Sequence, residues 1–180
     1  MSAGAAPAGG SIRPARAADL PALAAIERSA GALFADAGIV GAFLAETTPA
    51  ERLREAHADG LLWVATDPGD RPVGFALASV LDTGPHLEEL DVHPDFGRRG
   101  LGAALVAAVL DWARAAGHGG LTLVTFRDVP WNAPFYERLG FRPLAADALG
   151  SGLRERLASE AERGLPTERR VVLGYSWTPA

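Results

Sequence analysis

Three sets of residues in this chain have the types and spacing for chemistry. The first is Gly97-Arg98-Arg99-Gly100-Leu101-Gly102, set between an apolar run, Leu87 to Val92, and a long alanine-rich segment that ends at Gly117. Strand, glycine-rich loop and helix in that order is an arrangement for holding a phosphate. A helix start leaves backbone N–H groups unpaired and carries the positive end of the helix dipole. Glycine lets the backbone approach an anion closely, because no Cβ intervenes. The second set is Glu88, Glu89 and Asp91, on the strand that leads into the loop. Strand side chains alternate, so Glu89 and Asp91 are expected to share one face, with Glu88 on the other. The third is Tyr136, four residues after Asn132 and beside Phe135.

The loop is not one of the common nucleotide motifs. It lacks the Lys-Ser/Thr ending of a P-loop, and Leu105 stands where a dinucleotide fingerprint needs its third glycine. From loop shape alone, a helix that merely starts after a glycine turn fits equally well. The other functional residue types narrow the field. The 180-residue chain has no cysteine, which excludes disulfides, thiolate metal sites and a cysteinyl acyl-enzyme. Its 17 basic residues are all arginine, which excludes Schiff-base lysine chemistry. His57, His86, His93 and His118 show no metal-ligand spacing, so no metal is expected. The net charge of −5 argues against a nucleic-acid partner, which needs a basic face. Nothing resembles a signal peptide and no apolar run is long enough for a bilayer, so no membrane partner and a cytoplasmic location are expected.

The elements that must position these residues can be read in order. Residues 1–10 are small and read as a flexible tail, and residues 11–180 as a single domain. Ile12 to Ala15 reads as a first strand. Asp19 reads as the N-cap of a helix with a stripe at Leu20, Leu23, Ile26 and Ala30. The apolar stretch Gly31 to Thr48 is too broken by glycine for one helix, and Thr48-Pro49-Ala50-Glu51 has the pattern of a capping box. Leu61 to Thr66 and Pro72 to Leu81 predict a hairpin around Asp67-Pro68-Gly69-Asp70. Leu87 to Val92 follows as a strand, Gly100 to Ala116 as the main helix and Leu121 to Phe126 as a buried strand. Asn132 to Leu139 reads as a short helix, Phe141 to Leu144 as a strand, Leu149 to Arg163 as a helix and Arg169 to Trp177 as a closing strand. This order implies an α/β (α+β) fold, a mixed, mostly antiparallel central sheet with helices on both faces.

Two stretches together resemble one family. His93-Pro94-Asp95, an aromatic, then Gly97-Arg98-Arg99-Gly100-Leu101-Gly102-Ala103 and a helix is similar to the acetyl-CoA-binding motif of the GCN5-related N-acetyltransferases, written Gln/Arg-x-x-Gly-x-Gly/Ala. Gly97 stands where that family prefers Gln or Arg, which leaves backbone contact alone at this position. Asn132-Ala133-Pro134-Phe135-Tyr136-Glu137-Arg138-Leu139-Gly140-Phe141 resembles the family's tyrosine helix, ending Tyr-x-x-x-Gly-Phe. The resemblance covers residues 11 to 146 and implies an acyl-CoA N-acyltransferase fold.

It also implies roles. The co-substrate would be acetyl-CoA, its pyrophosphate held by amides of Arg98, Arg99, Gly100, Leu101, Gly102 and Ala103. The pantetheine arm would lie between splayed strands, against Leu90, Asp91 and Val92, with a strand N–H meeting the oxyanion. Glu89, or in the alternative Glu88, would serve proton removal from a primary amine, with His86 a weaker candidate. Tyr136 would protonate the leaving thiolate. Asn132 would contact CoA or only cap its helix, and Phe34, Phe43 and Trp131 would wall the acceptor pocket. The rival reading is a non-catalytic acyl-CoA-binding or sensor domain on the same fold. A nucleotide-phosphate enzyme is disfavoured by the missing Lys and hydroxyl after the loop. The amine and the oligomeric state, a homodimer included, stay open.

One outcome tests the loop reading by itself. Gly100→Asp should weaken CoA binding at least ~10-fold, about 1.4 kcal/mol, in a protein that stays folded. Unchanged affinity in a calorimetric titration would remove the loop from the binding site.

Overall fold

The structure is a computed structural model and describes residues 10–177. The tail expected over residues 1–10 lies, but for Gly10, outside them. Seven strands are described: β1 (Ser11–Pro14), β2 (Leu62–Thr66), β3 (Pro72–Leu81), β4 (Gly84–Val92), β5 (Gly120–Phe126), β6 (Arg142–Pro143) and β7 (Arg170–Ser176). Five α-helices accompany them: α1 (Leu20–Gly31), α2 (Ala50–Ala58), α3 (Leu101–Ala115), α4 (Ala133–Arg138) and α5 (Ser151–Glu162). The strands form one sheet in the order β1-β2-β3-β4-β5-β7-β6. Each described pair is antiparallel except β4 with β5, which run parallel. The predicted mixed, mostly antiparallel sheet is therefore observed.

Helical periodicity sets the two layers that cover it. On α3, Leu101, Leu105, Val106, Val109 and Ala113 are buried, a stripe at 3.6-residue spacing. They pack with Val73, Ala76, Leu87, Leu121, Leu123 and Leu173 of the sheet and with Ala133, Tyr136 and Phe141. On the opposite face, Leu23 and Ile26 of α1 and Leu53 and Ala56 of α2 pack on Leu62, Val64, Phe75 and Leu77. A third, smaller cluster joins Ile39 and Phe43 to Phe126 and Val129 at the end of β5. The stretch expected to be too broken for one helix holds two short 3₁₀ segments, Ala32–Ala37 and Ala42–Ala45.

Two predicted helix caps are used differently. Asp19 stands at the start of α1 but makes no cap hydrogen bond there. Its carboxylate instead accepts from Arg13 at 2.6 and 3.1 Å and from the Arg16 amide at 2.7 Å. Pro49, not Thr48, is the N-cap of α2. Thr48 donates its amide and hydroxyl to Glu27 of α1, at 2.9 and 3.1 Å. In both cases a charged partner out-competes helix amides for the short side chain, since hydrogen bonds to ionised groups are the stronger ones.

β3 and β4 approach closely at Gly74, opposite Val92. A Cβ there would stand 2.7 Å from the Asp91 carbonyl oxygen and 3.1 Å from a Val92 methyl. Gly74→Ala should therefore force the strands apart and destabilise the fold by ~1–3 kcal/mol. A melting temperature equal to wild type would show that the pair yields without cost.

Candidate active site

β4 and β5 pair only at His86–Thr122 and Leu87–Leu123, and no further ladder pair joins them toward Val92 and Phe126. The separation begins where β4 carries an extra residue. Leu87 faces Ala78 and Glu89 faces Leu77, so Glu88 is a bulge against β3. A bulge bends its strand and increases local twist, which turns the end of β4 away from β5. On the β3 side the ladder continues, and His93 donates its amide to the Val73 carbonyl at 2.8 Å. N–H groups alternate along a strand, so those of Leu90 and Val92 point the other way, into the opening.

The bulge also corrects the alternation expected from the sequence. Glu88 and Glu89 do not take opposite faces; both line one cavity of about 210 Å³ at the opening. Their surroundings differ. The Glu88 carboxylate takes two hydrogen bonds from Arg52, at 2.9 and 3.3 Å. Burial alone would raise its pKa, but this guanidinium holds it below the ordinary value, so it is a committed ion pair. Glu89 meets other acids. Carboxylate oxygens of Glu27, Glu89 and Asp91 all lie within 4.8 Å of one another. Burial, then the Glu27 charge, pushes Glu89 up to about 7. Burial and the charges of Glu89 and Glu27 also raise Asp91, which is 8% exposed and has one oxygen, Oδ2, with no hydrogen-bond partner. Glu27 is raised too, chiefly by burial, against the hydrogen bonds from Thr48. Three acids this close share protons as one system and leave an unspent acceptor, an arrangement chemically able to receive a cation.

The remaining candidates fall around this cluster. Tyr136 lines the cavity from the α4 side of the sheet, 8% exposed, with its ring held edge-on by Phe135 and Phe141. Burial, then Glu89 and Asp91, pushes its pKa above the usual phenol value, so the hydroxyl keeps its proton. Asn132 lines the same cavity, and its side chain makes no cap hydrogen bond at the start of α4. Phe34 and Phe43 are wall residues. Trp131, 42% exposed, lies tilted against Phe34 with ring centroids 6.3 Å apart and is not part of the lining. His86, the weaker base candidate, is fully buried, held by Thr122 at 3.0 Å and pushed down to about 3 by burial, so it is a neutral core residue.

The glycine-rich loop lies at the start of α3. Ala104 is the first residue of α3 whose amide bonds back to the loop, to Gly100 O at 3.0 Å. The amides of Leu101, Gly102 and Ala103 precede that bond and have no intrahelical acceptor. Arg98 and Gly100 both adopt positive φ, 60° and 82°. Left-handed residues in such a loop turn successive N–H groups toward one concavity. The space beside Gly100 is open to 4 Å, and a Cβ on Gly102 would touch only Phe135 and Val92. Arg99 is tied to Asp95 O at 2.8 Å and lies over the Phe96 ring, while Arg98 is exposed.

The family model described as "Acetyltransferase (GNAT) family" matches residues 33–141, more than half of the chain. The chain belongs to this family. Relatives include a mycothiol acetyltransferase of Mycobacterium sp. (strain JLS), 42% identical over 88 residues, 46% of this chain and 27% of that protein. Peptidyl-lysine N-acetyltransferase YjaB of Salmonella typhimurium is 36% identical over 104 residues, 56% of this chain and 65% of that one. The chain thus spans between about a quarter and a third of the length of the mycothiol acetyltransferases that it matches. Among solved structures, N-acetylglutamate synthase from Neisseria gonorrhoeae superposes with a TM-score of 0.72 at 21% identity, over 96% of this chain and 36% of that one. PaiA N-acetyltransferase from Thermoplasma acidophilum, in complex with coenzyme A, gives 0.70 at 16%, over 93% and 99%. These likenesses show the GNAT fold.

The GNAT chain's residues fit a CoA group. The space beside Gly100 is open, and the unpaired amides of 101–103 and the outward N–H groups of Leu90 and Val92 supply donors for a diphosphate and an amide-bearing arm. Sequence reading missed Glu27, Arg156, Glu160, Arg163 and Arg170, all of which line the cavity. Glu27 sits next to the buried Ile26, where a charged neighbour of an apolar stripe reads as a solvated edge. The arginines belong to segments whose charges also read as solvent-facing.

The acid cluster generates a prediction with a definite sign. Glu89 binds its proton more tightly folded than unfolded, so its contribution to stability is present at low pH and is lost as pH rises through about 7. Glu89→Gln should therefore gain stability relative to wild type at pH 8 but not at pH 4. Equal differences in melting temperature at both pH values would show that Glu89 is solvated.

Proposed function

We propose that the chain transfers the acetyl group of acetyl-CoA directly to a primary amine in a ternary complex. The observation that carries this reading is one cavity, at the parting of two strands, with a proton-accepting acid cluster on one side and a protonated phenol on the other. The relatives named as acetyltransferases support it. A cytoplasmic setting suits it, because acetyl-CoA is an intracellular metabolite.

Each residue then has a task that its surroundings allow. The amides of 98–103 would bind the pyrophosphate, and Leu90 and Val92 would hold the pantetheine arm and donate an N–H to the thioester carbonyl oxygen. The Glu27–Glu89–Asp91 cluster would draw in the ammonium form of the acceptor. Glu89, near 7, would take the ammonium proton, a better match than an exposed glutamate of ordinary pKa ~4.3. Tyr136 would give its proton to the sulfur as the C–S bond breaks. Its raised pKa makes it a weaker acid than free phenol, but the same dry surroundings raise the thiol as well, so the match between the two is kept. Glu88, held by Arg52, would shape the strand rather than exchange protons. With no cysteine, direct attack needs no thiol acyl-enzyme.

The test is release of free CoA from acetyl-CoA across a broad panel of primary amines. Turnover with at least one amine is expected; tight CoA binding with no turnover would instead favour a binding or sensor domain. Within an active protein, Tyr136→Phe keeps the ring and should lower kcat by about 10²-fold with CoA affinity little changed. A lower melting temperature with normal kcat would make Tyr136 a packing residue only.

A further inference from the structure

Arginines line the cavity as well as acids, and they are not equivalent. Arg170 is spent on Glu160, with two hydrogen bonds of 2.8 Å. Arg163 is spent on Glu46, at 2.7 and 3.0 Å. Arg156 of α5 lines the same cavity, with its side chain 30% exposed. Its ion pair among the described residues is to Glu88 at 4.0 Å, beyond hydrogen-bond range, and Glu88 is already satisfied by Arg52. The planar fork of Arg156, with five N–H donors, therefore faces the cavity uncommitted. Such a fork matches a carboxylate in a bidentate fashion. The same cavity is lined by Glu27, Glu89 and Asp91, close enough for the Arg156 charge to act on Glu89, and the unpartnered Oδ2 of Asp91 is buried there.

We propose that the acceptor is an α-amino acid, its ammonium against Glu27, Glu89 and Asp91 and its carboxylate clamped by Arg156. The assignment rests on the N-acetyltransferase reading, which it narrows. A simple alkylamine would leave the guanidinium without a partner, and a diamine would place a second cation against it. The side chain of a peptidyl lysine carries no carboxylate near its amine. An α-amino acid alone among these places an anion within a few bonds of the nitrogen that reacts. Two held ends also orient it: the nitrogen would be fixed beside Glu89, the group proposed to take its proton. Phe34 and Phe43 line the cavity and give an apolar side chain a place to lie.

The experiment is a calorimetric titration of the protein, saturated with CoA, with L-leucine, L-methionine and L-phenylalanine and with the three amines that lack their α-carboxylate. At least one amino acid should bind ~10-fold or more tightly than its own amine. Arg156→Gln should abolish that preference, and Arg156→Lys should restore part of it. Amines that bind as tightly as the amino acids would overturn the assignment. So would a preference that survives in Arg156→Gln, or no binding by any of the three amino acids. Failure of the activity reading looks different: an amino acid binds with the expected dependence on Arg156, yet acetyl-CoA is not consumed. In that event the carboxylate clamp stands and the transfer does not.

Discussion

Backbone amides inside a protein need partners, and β4 gives up several of its own. After Leu87 and Leu123 the parallel ladder stops, so the outward N–H groups of Leu90 and Val92 have no neighbouring strand to bond. An unsatisfied buried group costs about 1–3 kcal/mol, and few folds keep such groups without a use for them. Here the cost is carried by a bulge at Glu88 and by firm pairing on the other side, where β3 follows β4 from Gly74 to Leu81. The opening lets the two faces of the sheet communicate. The acids that reach it stand on the α1 side, and Tyr136 reaches it from the α4 side.

The electrostatics follow from that geometry. Of four carboxylates on or near this stretch of β4, one is neutralised and three are not. Arg52 takes Glu88, and Thr48 steadies Glu27 without neutralising it. Glu27, Glu89 and Asp91 then sit so close that burial and mutual repulsion favour keeping a proton among them. In the proposed reaction a cationic acceptor would relieve this repulsion on arrival and would itself carry the proton to be removed. Binding and deprotonation would then be served by the same charges. The folded state bears the cost of holding them together.

Much of this was legible in the sequence, for physical reasons. Strands and helices followed from periodicity and turn residues; Pro72–Leu81 has its predicted bounds in the structure. The glycine-rich loop announced itself because few backbones other than glycine tolerate a φ of +82° at Gly100. What sequence could not show is long-range. Alternation predicted Glu88 and Glu89 on opposite faces, and a single bulged residue overruled it. Thr48 has the pattern of a cap, but Glu27, 21 residues earlier, claims its donors. Glu27 and Arg156 are separated by most of the chain and meet only because the sheet brings α1 and α5 to one opening.

In the proposed reaction the parted strands and the loop receive acetyl-CoA together. The most direct measurement is residue-resolved amide hydrogen exchange with and without CoA. Protection should appear on CoA binding at Leu90 and Val92 and at Leu101, Gly102 and Ala103, with the paired amide of His93 little changed. Protection confined to the far end of the sheet, around Gly119, Thr122 and Gly174, or none at Leu90 and Val92, would contradict the account.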